Sequence, residues 1–555
     1  VREKKRNFAL AHFFLCTKYV HLKMSVLQSN INLQSDAFKE NVEAMKLLVQ
    51  ELEEKKIESL YQGKDRHIEK ARSLGKHTAR ERIELLLDDY SPFMELLPFA
   101  GLDSKNKEGG TTTVGGIGLV HGRLVLIISN VGTNKGGAIN LATLNKSLRL
   151  SEIAAENDLP VITMVESAGA DLTEQAKIFN YGGASFRQIT QRSKAGVASI
   201  SIVFGNATAG GAYVPGMSDY AIFVKNNAKV FLAGPPLVKM ATNEVVDDEI
   251  LGGAEMHSTI SGVSDYLAQD EFDGIRIARD IVKRLRPTEP NFVPNQNIAA
   301  PKYNEEELLG IVSADIKKPW DAHELIARIV DESDFTEFKP DWGTTLITGW
   351  AEIHGYRVGI IANNGVLLSD SANKGTHFIQ LCNKNLTPII FLQNITGFMV
   401  GKEYEQGAII KNGAKMINAV SNSEVPTITI ITGASYGAGN YAMNGRAYNP
   451  RFLFSYPNSK IAVMGPDQLS GVMEMIQRQA VEKMGGVYDE EQAEAFRNHL
   501  IHEANKQSNA WYASAQCWDD GVIDPRETRT YLGFCLAIVN NKKISSTNSY
   551  GVFRM

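Results

Sequence analysis

Two short segments place small residues where a backbone could handle negative charge: Gly205-Asn-Ala-Thr-Ala-Gly210-Gly211-Ala-Tyr and Gly433-Ala-Ser-Tyr-Gly437-Ala438-Gly439-Asn-Tyr. Each follows a β-rich apolar run, residues 200–204 and 427–432, and precedes residues able to form a helix. A turn of small residues at such a junction lets a ligand approach the main chain, and the unpaired N–H groups of a helix start favour an anion. Two adjacent N–H groups can hold an oxyanion without any charged side chain. At a shared offset of 228, Gly210-Gly211 falls on Ala438-Gly439. A lone Gly-Gly reads as a tight turn. The aligned pair reads as two equivalent anion pockets, with Gly210, Gly211, Ala438 and Gly439 as the catalytic candidates and Gly437 permitting the turn.

Other chemistries fare worse. Gly433-Ala-Ser435-Tyr-Gly437 fits the GxSxG nucleophile elbow, and Asp467 or Asp489 followed by His499 or His502 would complete the order of a hydrolase triad. The aligned first-half position is Ala207, however, and a hydrolase leaves the duplication without a purpose. Ser435 is therefore read as an unreactive turn residue. No HExxH, P-loop or EF-hand pattern occurs, so no metal or ATP site is expected on this chain. Gly116-Ile-Gly118 begins a dinucleotide fingerprint, but His121 stands where its third glycine belongs. His121 and His354 lie in His-Gly pairs that suit hairpin turns. Cys16, Cys382, Cys517 and Cys535 form no CxxC pair and are read as packing residues of a reducing compartment.

The elements that must position these turns also come in two copies. Gly116 and His121 match Gly349 and His354 at an offset of 233. The run from Pro160 to Gly169 matches that from Pro388 to Gly397 at 228, and Gly234-Pro235 matches Gly465-Pro466 at 231. Each half alternates short β-rich runs, glycine turns and longer helical stretches, which predicts an α/β chain. Residues 35–87 read as helical. Pro287, Pro290, Pro294 and Pro301 mark a junction, giving an N-terminal domain over 24–295 and a C-terminal domain over 296–555.

At 555 residues, 43% hydrophobic and 22% charged, the chain reads as a soluble globular protein of at least two domains. A net charge of −5 without a Lys/Arg block predicts no nucleic-acid partner, and no apolar run approaches the roughly 18 residues of a membrane helix. Residues 1–23 are basic, with six Lys or Arg, two His and the single acid Glu3. They read as an upstream extension before Met24 in preference to a targeting segment, and stand outside the fold argument.

Several segments resemble the carboxyltransferase (β) subunits of biotin-dependent acyl-CoA carboxylases, nearest to the methylcrotonyl-CoA branch. They are Gly75-Lys-His-Thr-Ala-Arg-Glu-Arg-Ile, Thr208-Ala-Gly-Gly-Ala-Tyr-Val-Pro215, Phe231-Leu-Ala-Gly-Pro-Pro-Leu-Val-Lys239, Gly375-Thr-His-Phe-Ile-Gln-Leu-Cys382, Gln393-Asn-Ile-Thr-Gly-Phe-Met-Val-Gly401 and Ser435-Tyr-Gly-Ala-Gly-Asn-Tyr441. The resemblance runs from about Phe38 to the C-terminus. It implies two tandem crotonase (ClpP-like) domains of ββα units, the first receiving acyl-CoA and the second carboxybiotin. It also implies an active site shared between subunits of a homo-oligomer, expected to be a hexamer. Biotin would arrive on a separate biotin carboxylase/biotin carboxyl carrier (α) subunit.

On this resemblance Gly210 and Gly211 take the acyl-CoA enolate, and Ala438 and Gly439 the ureido oxygen of biotin. Gly397, Phe398 and Tyr441 then line the biotin and acyl side, and Ala168 and Gly169 the substrate loop. The urea left when CO2 departs is the implied base, so no catalytic His or Glu is demanded. The implied substrate is 3-methylcrotonyl-CoA of leucine degradation. Ser167-Ala-Gly-Ala170 and Met464-Gly-Pro-Asp-Gln-Leu depart from that branch, which keeps geranyl-CoA or another acyl-CoA (acetyl, propionyl or long-chain) as the alternative. A non-catalytic CoA-binding scaffold is the reading of a different class, disfavoured by intact glycines in both pockets. The expected location is the cytoplasm of a bacterium, or the mitochondrial matrix in a eukaryote, with the cytoplasm favoured.

Overall fold

Two hairpins begin the two halves of the computed structural model, which describes residues 25–102, 110–292, 294, 298–485 and 488–555. The segment 1–23 and the junction at 295/296 lie outside the described residues. Thr113–Val120 pairs antiparallel with Arg123–Asn130, and Leu346–Ile353 pairs in the same way with Tyr356–Asn363. The turns are His121-Gly122 (φ 49° and 69°) and His354-Gly355 (φ 50° and 76°), left-handed at both positions. That is the primed turn whose twist matches the flanking strands, as the His-Gly pairs predicted.

Each turn is held by a carboxylate. Asp88 accepts from the N–H groups of His121 and Gly122 (2.8 and 2.7 Å), and Asp331 from those of His354 and Gly355 (3.0 and 2.8 Å). An arginine backs each acid, Arg279 on Asp88 at 2.9 Å and Arg529 on Asp331 at 2.7 Å. Because His121 spends steric energy to sit at positive φ, His121→Asn, which tolerates that region better, is expected to raise stability by about 0.5 kcal/mol. Thermal unfolding checks it.

After each hairpin the chain crosses over through helices to parallel strands. Leu141–Glu156 leads to Val161–Ser167, and Gln175–Lys194 to Ser199–Thr208. In the second half Ser369–Lys384 leads to Ile389–Ile395, and Ile409–Ser421 to Thr427–Tyr436. The result is an eight-stranded and a seven-stranded sheet, each with a short antiparallel strand beside its hairpin (Phe93–Glu95 and Thr336–Glu337). Gly116 and Gly349, matched in the sequence, face Glu95 and Glu337 across these edges. The expected α/β pattern of ββα units is the observed one. The stretch predicted helical at 35–87 forms three helices, Asp36–Ser59, Asp65–Ser73 and Ala79–Leu86.

The two halves share one core. Leu126, Ile128 and Val161 of the first sheet pack in one cluster with Ile360, Ile390 and Ile428 of the second and with Leu532 and Leu536 of the helix Thr528–Val539. Every residue of Thr427–Tyr436 is buried, as expected of a central strand covered on both faces. The first crossover helix of each half also buries a lysine at the same relative place, Lys146 and Lys374. Burial pushes the Lys146 amine down to about 8 against the attraction of Glu95, and it likewise lowers Lys374, whose Nζ lies 3.8 Å from Glu337. Among the described residues no helix is long and apolar enough to cross a membrane.

Candidate functional site

The glycine turns stand at the ends of two corresponding strands. Ser199–Thr208 runs into the single 3₁₀ turn Ala209–Ala212, and Thr427–Tyr436 into the helix Gly437–Ala442. One left-handed residue makes each bend, Ala209 at φ 53° and Gly437 at φ 54°. Glycine takes that conformation freely, so the second pocket is built without strain where the first is not. The following pairs match in exposure: Gly210 and Ala438 are exposed, Gly211 and Gly439 buried. N–H groups at a helix start have no acceptor within the helix, which leaves these positions free to donate to a ligand.

The neighbouring loops are duplicated as well. The strands Val161–Ser167 and Ile389–Ile395 each shift register against their partner, between Val165 and Ser167 and between Gln393 and Ile395. Such bulges re-aim the chain beside a site. Ile139 then accepts the loop Ala168-Gly169-Ala170 through an isolated parallel bridge, and Leu367 accepts Thr396-Gly397-Phe398 in the same way. The N–H of Ile139 donates to the Gly169 carbonyl at 2.8 Å, and that of Leu367 to the Gly397 carbonyl at 3.2 Å.

These bonds bring the predicted residues together in two groups. In the first, Gly169 lies against Thr208 and Ala209, Ser167 borders Gly211, and the Phe186 ring borders Gly210. In the second, a Cβ on Gly439 would come within 2.6 Å of the Ile395 side chain and 3.2 Å of the Gly397 Cα, so only glycine fits there. The Phe398 ring rests on Gly413, and Tyr441, 46% exposed, packs its ring on Tyr448 at 5.7 Å.

Glu166, between Val165 and Ser167, was not found from the sequence. It accepts from Lys76 at 2.8 Å and from Arg82 at 2.7 Å, and Arg82 also donates to Glu271 at 2.6 Å while lying 4.4 Å from the Phe204 ring centre. Burial pushes the Glu166 carboxyl up, but Arg82 and Lys76 outweigh it and hold it below the ordinary range. Its counterpart is Asn394, whose Oδ1 accepts from the Ala434 N–H at 3.0 Å. The Lys-His-Thr-Ala-Arg-Glu-Arg motif thus braces the strand beneath the first pocket. In the sequence this motif carried the family resemblance alone, which names no partner for it.

Ser435 is no nucleophile. It is fully buried, donates to Gln393 Oε1 at 3.1 Å and accepts from Asn440 Nδ2 at 2.6 Å, with no histidine among its partners within the described residues. Cys382 and Cys535 are buried as expected, while Cys517 is partly exposed with its thiol held up by burial.

The sequence pattern of the carboxyl transferase domain matches residues 70–551. The chain belongs to the carboxyl transferase family. A Mycobacterium tuberculosis protein named "Probable biotin-dependent acyl-coenzyme A carboxylase beta2 subunit" is 51% identical over 531 residues, covering 96% of this chain and 100% of its own. The mitochondrial methylcrotonoyl-CoA carboxylase beta chain of Arabidopsis thaliana is 46% identical, covering 96% and 92%. Among solved structures, the geranyl-CoA carboxylase beta subunit of Pseudomonas aeruginosa superposes with a TM-score of 0.86 at 41% identity, covering 95% of this chain and 99% of that one. The two ββα arrays of this carboxyl transferase are accordingly tandem crotonase-fold domains.

Proposed function

We propose that this chain is the carboxyltransferase (β) component of a biotin-dependent acyl-CoA carboxylase, with 3-methylcrotonyl-CoA as its acyl substrate. The observation that carries the reading is the matched pair of turns, each offering one exposed and one buried small residue at the start of a helical turn. A thioester deprotonated beside its carbonyl, or at the vinylogous γ carbon, puts charge on the thioester oxygen. Gly210 and Gly211 receive that oxygen. Ala438 and Gly439 receive the ureido oxygen of biotin. Carboxybiotin, carried by a biotin carboxylase/biotin carboxyl carrier (α) partner, supplies the carboxyl group and a ureido nitrogen basic enough to take the substrate proton. Backbone dipoles suit both tasks because they are fixed before reaction and carry no counter-ion.

Ala168 and Gly169 border the acyl-CoA side, and Gly397, Phe398 and Tyr441 the biotin side. Exposed apolar residues follow both loops in the chain, Leu172 and Phe179 after the first and Val400 after the second, and exposed Val463 brings its carbonyl near Gly437. Such surface beside a polar site favours cover by another subunit, in line with a homo-oligomer, proposed as a hexamer, whose active sites join unlike domains of two copies. The enzyme would work in the bacterial cytoplasm or, in a eukaryote, the mitochondrial matrix. Geranyl-CoA stands as the second substrate reading, favoured by the match to the geranyl-CoA carboxylase beta subunit. With the cognate α subunit, a panel of acyl-CoAs should show carboxylation of 3-methylcrotonyl-CoA at the highest kcat/KM. A preference for geranyl-CoA overturns the substrate, and inactivity on every acyl-CoA overturns the function.

A further inference from the structure

The buried serine that mimics a nucleophile belongs to a closed polar ring. Ser435 Oγ donates to Gln393 Oε1 (3.1 Å) and accepts from Asn440 Nδ2 (2.6 Å), while Gln393 Nε2 donates to the Asn440 carbonyl (3.2 Å). Gln393 and Ser435 are both 0% exposed. Asn440 is the residue after Gly439, so two bonds fasten the helix Gly437–Ala442 to the strands beneath it. Room for the Asn440 amide comes from Gly445, where a Cβ would fall 1.9 Å from Asn440 Oδ1.

The first half has no polar side chain at the three matching positions, although the Ser167 hydroxyl beside Gly211 ties the loops of Gly137 and Gly169. At an offset of 228 the three positions are Val165, Ala207 and Ala212, all buried in one apolar cluster. The floor can therefore be built either way. Burying two amides and a hydroxyl is tolerable only when each finds a partner, and the return is directionality that apolar contact lacks.

We infer that Gln393, Ser435 and Asn440 are positioning residues that fix the Ala438 and Gly439 N–H groups for the ureido oxygen of biotin, leaving the first pocket the more adaptable of the two. This rests on the assignment of the second pocket to biotin. Transplanting the first half's solution tests it: Gln393→Val, Ser435→Ala and Asn440→Ala together remove every partner and leave no orphaned group. Amide hydrogen exchange in residues 437–445 should quicken by about tenfold, the loss of roughly one hydrogen bond's worth of stability, while residues 209–217 stay unchanged. In the reverse reaction, with the carboxylated acyl-CoA as donor and free d-biotin as acceptor, KM for biotin should rise by a similar factor and KM for the carboxylated acyl-CoA should not. Unchanged exchange in 437–445, or both KM values moving together, overturns the inference. If the triple variant fails to fold, Ser435→Ala alone is read by the same exchange comparison, and unchanged exchange there overturns it too. An inactive native protein would sink the functional reading instead, and the exchange comparison would still decide the ring.

Discussion

Ala438→Pro lowers the rate of carboxyl transfer by about 10²–10³-fold, the usual effect of deleting one oxyanion donor, and leaves the protein folded. Proline removes a single N–H and is tolerated in the first turn of a helix, where that group has no acceptor within the helix. Ala438 is the second residue of its helix and is exposed, so the ring has space to sit. The preceding Gly437, at φ 54°, has no Cβ to clash with the proline ring. Gly210→Pro is the less clean partner experiment, because Ala209 at φ 53° precedes it and already carries strain. Ala438→Ser keeps the N–H and should keep the rate within a few fold. A melting curve and kcat measured on all three variants decide the matter. If Ala438→Pro turns over within threefold of the native enzyme, the second pocket does not work through that donor.

The parts of this site legible in the sequence are those written locally. Glycine turns, His-Gly hairpins and strand ends keep their offsets because loops between corresponding elements have nearly equal length. The His121 and His354 turns needed only two residues each to be read. What stayed hidden is non-local. Asp88 and Asp331 do the same work at both hairpins, yet they and their arginines, Arg279 and Arg529, sit on elements that have drifted out of register with the repeat. Glu166 could be paired with Lys76 and Arg82 only once residues 84 to 90 positions apart were seen to meet. The Ser435 pattern shows the opposite failure. GxSxG matched in full, and the aligned Ala207 argued against it, but neither could reveal that the hydroxyl is spent between Gln393 and Asn440. A strand buried on both faces has no alternation to say which way a side chain points.

Arg149 couples the two halves through buried polar contacts. From the helix Leu141–Glu156 of the first half it donates to Asp520 at 2.9 Å and to the carbonyls of Pro450 and Arg451 at 3.0 Å, beyond the second pocket's helix. Arg446, just past that same helix, pairs with Asp520 at 2.8 Å, on the same Oδ1 that the Arg149 Nε reaches. Burial pushes the Asp520 carboxyl up, but the guanidiniums of Arg149 and Arg446 outweigh it and keep its pKa below the ordinary value. Arg149→Met keeps the volume and removes the charge. It should cost about 3–5 kcal/mol, as for breaking a buried pair from one side. The loss should depend on pH with a definite sign. In the native protein the depressed pKa adds stability at neutral pH that fades as pH falls through the carboxylate range. In the variant the folded-state pKa rises, because only Arg446 and the Leu453 N–H still favour the ionised carboxylate, so less of that stability remains at neutral pH. The gap in stability between native and variant should therefore be widest near pH 7 and narrow as pH falls toward 4. Denaturant unfolding across that range measures it, and a gap that stays constant would show that Arg149 acts through packing alone. Because Arg446 lies four residues past the helix Gly437–Ala442, proposed above to face biotin, the same variant should also loosen that pocket, so that carboxyl transfer falls before the protein unfolds.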